Sequence, residues 1–140
     1  MSTLGAVIAH ELGHAIQPGW SCPVSLTAGD QAAVTGFENC LIRAFDRHGS
    51  SRSELTLSEN WADAISVRTV LRYLRRLNTA TTANGLVLWM QTWCSAGAPQ
   101  HTPMSDDPHA TPYLRVEGTM PTLHAFYTAF GAPANLPMVC

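Results

Sequence analysis

The stretch Val7-Ile8-Ala9-His10-Glu11-Leu12-Gly13-His14 sets two histidines four residues apart, and that spacing calls for a helix. On a helix, residues four apart lie one turn above each other, so His10 and His14 can aim two imidazole nitrogens at one point. The flanks agree: Ser2 is a candidate cap, and Pro18 and Gly19 stop a helix running from about Thr3 to Ile16. A hydrolytic zinc ion takes three protein ligands and keeps one position for a water whose pKa falls toward neutrality. His10 and His14 are candidates for two of those ligands. Glu11, near the same face, is the candidate base for the water's proton. The competing reading is an ordinary helix carrying two incidental histidines, so a third ligand matters.

Two glutamates follow the motif, Glu38 in Phe37-Glu38-Asn39-Cys40 and Glu59 in Leu57-Ser58-Glu59-Asn60-Trp61-Ala62-Asp63. A metal-bound histidine usually donates its other ring nitrogen to a carboxylate, which fixes its tautomer and strengthens it as a ligand. Asp63, four residues after Glu59, shares its helical face and can stand behind a histidine, whereas Ile42 stands four residues after Glu38. Glu59 is therefore the expected third ligand. Glu38, the nearer to His14, is the alternative.

The remaining sequence reads as mainly α in one domain spanning 1–140, since 140 residues suffice for a single core. Asp30 as cap and Gly49 as stop bracket a second helix, with Val34, Phe37, Leu41 and Phe45 at helical spacing. Ser58 is the expected cap of a third helix reaching Leu77, and Ala83 to Gly97 reads as a fourth, more buried one. Ala98 to Thr119 reads as an irregular proline-containing loop, after which Pro121 opens a short helix that Gly131 ends. With eight Lys and Arg and a net charge of −2, the chain has no electrostatic footprint for nucleic acid. Arg68, Arg72, Arg75 and Arg76 read as a solvated helix face. No apolar run is long enough for a membrane span, and no signal peptide is recognisable. Cys22, Cys40, Cys94 and Cys140 form no CxxC pair, which leaves disulfides in any of three pairings or buried thiols.

His10 to His14 followed by Thr56-Leu57-Ser58-Glu59-Asn60-Trp61-Ala62-Asp63 resembles the neprilysin and endothelin-converting-enzyme family of zinc metallopeptidases. The likeness continues through Met90-Gln91-Thr92-Trp93-Cys94, similar to the family's Q-x-W-C element. It extends over Asp107 to Phe130, which resembles D-x-H-x-P, then R-V-x-G-T and a terminal F-x-x-A-F helix. The resemblance implies the helical C-terminal lobe of a thermolysin-like zinc metalloendopeptidase that cleaves internal peptide bonds of oligopeptides. It implies that His10, His14 and Glu59 hold one Zn2+, that Glu11 is the base and that Asp63 backs a histidine ligand. It further implies that His109 stabilises the oxyanion and that Arg115 binds a substrate carbonyl, both sensible for a donor and a rigid fork. Cys40 and Cys140 match the pair that ties the family's second helix to its tail, while a Cys22–Cys94 bond stays open. His48, His101 and His124 match no family motif and read as incidental. An extracellular or cell-surface setting follows from the resemblance alone.

The chain also departs from the family. It lacks the N-terminal lobe and the edge strand that binds substrate backbone, Ile16-Gln17-Pro18-Gly19-Trp20 follows His14, and Ala64-Ile65-Ser66 replaces Asn-Gly-Gly after Asp63. The expectation is therefore an incomplete segment of a longer protein, with apolar surface left where the absent lobe would pack. Zinc binding without catalysis, in a structural or partner-binding role, is the second expectation.

Overall fold

The computed structural model describes residues 3–19, 25–74, 76, 79–93, 107–131 and 140. Among them are six α-helices and no strand: α1 (Thr3–Ile16), α2 (Ala28–Arg47), α3 (Leu57–Leu74), α4 (Thr79–Thr92), α5 (Pro112–Thr119) and α6 (His124–Phe130). The mainly-α reading holds. A 3-10 turn over Met120–Thr122 joins α5 to α6.

Helix α3 is the axis of the fold, because it is apolar or small on nearly every side. α1, α4, α2 and α5 all pack against it, α1 most extensively. Val67, Val70, Leu71 and Leu74 of α3 meet Leu86 and Trp89 of α4 with Met120 and Leu123, forming the largest buried cluster. Burying each such aliphatic side chain contributes about 1.5–3 kcal/mol. Two polar side chains inside are matched to each other and to the backbone: the Trp89 indole donates to Ser66 Oγ at 3.1 Å, and Ser66 donates to the Ala6 carbonyl at 2.8 Å. α1 is thereby tied to α3 just below the histidines. Cys40 and Cys140 form a disulfide that fastens α2 to the last residue, whereas Cys22 and Cys94 lie outside the described residues.

Several boundaries differ from the sequence reading. α2 begins earlier, with Thr27 as its cap, and Asp30 completes a capping box from inside the first turn. α3 starts at Leu57, so Ser58 lies within the helix and its hydroxyl is free for another partner. α4 begins at Thr79 rather than Ala83. The expected loop from Ala98 to Thr119 holds a helix at its end, α5, where the Thr111 side chain caps Leu114 and Pro112 occupies the first turn. The Ser2 cap falls outside the described residues. Arg68 is not a solvated charge: its guanidinium donates to the carbonyls of Ala64, Thr122 and Cys140 and lies 4.9 Å from the Phe37 ring centre. Burial lowers its pKa to about 10. Arg72 and Arg76 are exposed, and Arg75 lies outside the described residues.

Candidate metal centre

The site forms where α1 crosses α3 at unusually short range. A Cβ on Gly13 would sit 2.9 Å from Ala62 Cα and 3.1 Å from the Ala62 carbonyl oxygen, so the glycine inside the histidine motif is what lets the two backbones touch. About one turn before Gly13 and immediately after it, the two histidines reach α3. His10 Nε2 lies 3.1 Å from Glu59 Oε2, and His14 Nε2 lies 3.4 Å from Glu59 Oε1. One ligand atom from each of the three residues lies within 4.8 Å of the others. Two imidazole nitrogens and a carboxylate oxygen form a donor set that suits zinc.

A buried carboxylate stands behind His10. Asp63 has no exposure; its Oδ1 meets His10 Nδ1 at 2.9 Å, and it accepts Arg115 Nε at 2.7 Å and Nη2 at 2.8 Å. The Arg115 guanidinium in turn lies 3.5 Å from the ring centre of Trp93, whose ring also sits 5.6 Å from that of His10. Burial disfavours charge on His10, but hydrogen bonds to Asp63 and Glu59 overcome it and raise its pKa from 6.5 to about 9. Burial likewise works against ionised Glu59, and the His10 hydrogen bond with the nearby His109 and His14 charges pulls its pKa down.

His109 also reaches the site, with Nε2 3.0 Å from the same Glu59 Oε2 that His10 meets. Its backbone N–H donates to Asp107 Oδ1 at 2.9 Å, and its Nδ1 meets the same oxygen at 2.6 Å. Those bonds hold the Asp107 pKa below its ordinary value. Glu11 is exposed on the edge of α1 that adjoins His14 and has no hydrogen-bond partner among the described residues. His14 Nδ1 faces Ser58 Oγ at 3.3 Å.

The model of peptidase family M13 matches residues 1–140. The chain belongs to peptidase family M13. This is the neprilysin-type family that the motifs resemble, and it makes the chain a peptidase of a zinc-dependent family. No curated protein and no solved structure matches the chain.

In this M13 chain, His10, His14, Glu59, Asp63, His109 and Arg115 come together from α1, α3, α5 and the turn before α5. Glu38 stands on α2, outside the ligand group. Arg115 spends Nε and Nη2 on Asp63. His48 pairs at 3.9 Å with Glu117, His124 is exposed at the start of α6, and His101 lies outside the described residues. The sequence reading gave Asp107, Trp93, Ser58 and Gln17 no part in the site, although it expected Ser58 to cap α3 and placed Asp107 and Trp93 in family-like motifs. Asp107 carried a signal, a carboxylate two residues before His109. The other three become neighbours of the site only through the packing of α1, α3 and α4.

Proposed function

We propose that this chain carries the catalytic centre of a zinc-dependent metalloendopeptidase that hydrolyses internal peptide bonds of oligopeptides. The convergence of His10, His14 and Glu59, braced by the buried Asp63–Arg115 pair, is the observation that carries the reading. Those three residues would hold the ion, and zinc bound there would supply Lewis acidity and a water acidic enough to react near neutral pH. Glu11 takes the proton that water loses on adding to the scissile carbonyl, and delivers it to the amine as the C–N bond breaks. His109 Nε2 donates to the oxyanion that develops on that carbonyl, and the Asp107 carboxylate orients its ring. Arg115 Nη1 steadies a neighbouring substrate carbonyl while the rest of its fork fixes Asp63.

A second reading, zinc binding without turnover, is favoured by one observation. Glu11 stands on a face of α1 where Leu4, Ile8, Leu12 and Ile16 are 51–64% exposed, so nothing among the described residues walls off the base from solvent. An exposed apolar stripe of this kind fits a covering lobe. We propose that the N-terminal lobe typical of the family covers it in a longer protein, which would be extracellular or anchored at the cell surface. No helix among the described residues is long and apolar enough to cross a membrane.

Cleavage of an internally quenched peptide by the zinc-loaded chain, beside its Glu11→Gln variant, separates the readings. A catalytic centre predicts that the variant loses roughly 10²–10⁴-fold in rate while keeping about one zinc per chain. Equal, negligible rates in both proteins with zinc retained would leave the binding reading.

A further inference from the structure

The two histidine ligands are braced differently. His10 is backed by a carboxylate, Asp63, itself held by Arg115. Behind His14 stands Ser58 Oγ, 3.3 Å from Nδ1, and the Ser58 hydroxyl donates its one hydrogen to Gln17 Oε1 at 2.8 Å. A hydroxyl that gives its hydrogen to an amide oxygen can only accept from the imidazole, so Nδ1 carries the hydrogen and donates. That tautomer leaves the Nε2 lone pair facing Glu59 and the ligand group.

Two features of the fold build this arrangement. α3 begins at Leu57, so Ser58 lies inside the first turn and its side chain turns toward α1 instead of capping. Gln17 follows the last residue of α1, with its backbone N–H bonded to the His14 carbonyl at 3.2 Å, and it is 9% exposed. A buried glutamine needs acceptors and donors for its amide, and Ser58 satisfies its oxygen.

We infer that Ser58 and Gln17 form a relay, His14 Nδ1–H to Ser58 Oγ–H to Gln17 Oε1, that positions His14 as a metal ligand through an uncharged pair. The inference rests on the zinc-site reading above. Both are positioning residues: neither supplies a metal donor, and both act through His14. Outer partners of this kind typically change metal affinity by about 10–100-fold when removed.

Zinc affinity, read by competition with a chromophoric chelator on the full chain, tests the relay. Ser58→Ala should weaken zinc by about tenfold or more. Ser58→Thr, which keeps the hydroxyl, should restore most of that loss. Gln17→Met keeps the side-chain length but removes the acceptor, and should lose affinity in the same direction. It also answers the question if Ser58→Ala shows reduced helicity. The ¹⁵N shifts of His14 in the zinc-loaded chain should report an Nδ1–H form in the native protein and in Ser58→Thr. Native-like affinity in both Ser58→Ala and Gln17→Met, with the zinc site otherwise intact, would overturn the relay alone. So would a Ser58→Thr variant as weak as Ser58→Ala. A native chain that binds no zinc would instead remove the reading on which the relay stands.

Discussion

Asp63, with no exposure, accepts from His10 and from two nitrogens of Arg115, so its charge is balanced only while both partners stay in place. Removing one member of a buried pair strands the other's charge, at about 3–5 kcal/mol. Asp63→Ala should therefore lower unfolding stability by about that amount in urea titration. It should also weaken zinc binding. Protonation at the same site sets a pH dependence for the zinc-free chain. The His10 pKa rises from 6.5 to about 9 on folding, so its contribution is complete below about 6.5 and is lost as pH climbs through 9. Glu59 shifts the other way, below its ordinary 4.5, so its contribution is present above that value and disappears in acid. In the presence of a chelator, the urea midpoint should accordingly be higher at pH 6 than at pH 9. A midpoint that rose across that interval would contradict the His10 geometry.

At the level of helices, close approach is what makes the site. Gly13 lets α1 lie on Ala62 of α3, and Gly118 lets α5 lie on the Phe45 ring of α2, where a Cβ would come within 2.7 Å of the ring carbons. Gly118→Ala should cost about 1–3 kcal/mol through overpacking, seen as a lower melting temperature. Because α5 carries Arg115, the variant should also loosen the clamp on Asp63. Much of this was legible in the sequence. The i, i+4 pairs His10/His14 and Glu59/Asp63 declared their shared faces, and helical spacing at Val67, Val70, Leu71 and Leu74 marked the central helix. Helix α5 was obscured because Pro112 and Gly118 read as loop residues in isolation, although one sits at a tolerated first-turn position and the other at a crossing. Arg68 read as a surface charge because sequence spacing cannot show that the carbonyls of Thr122 and Cys140 would return to meet it. The Ser58–Gln17 contact was equally hidden, since it exists only once α1 and α3 are packed.

Over the whole molecule, the Cys40–Cys140 bond spans 100 residues and closes the chain around α3. A bridge across so long a loop restricts the unfolded state, and its loss typically costs about 2–5 kcal/mol. Cys40→Ser should lower the unfolding free energy by about that amount, while the three proposed zinc ligands, carried on α1 and α3, keep their geometry. The exposed face of α1 is a separate feature: Leu4, Ile8, Leu12 and Ile16 stand open there, and Glu11 is exposed beside them. Metal binding and turnover are separable, and the metal site is the more basic claim. It is tested most directly by a crystal of the zinc-soaked chain with anomalous scattering recorded at the zinc edge. The prediction is one ion per chain bonded to His10 Nε2, His14 Nε2 and a Glu59 oxygen, at roughly 2.0–2.2 Å. An ion bound elsewhere, or one that leaves out Glu59, would contradict the account.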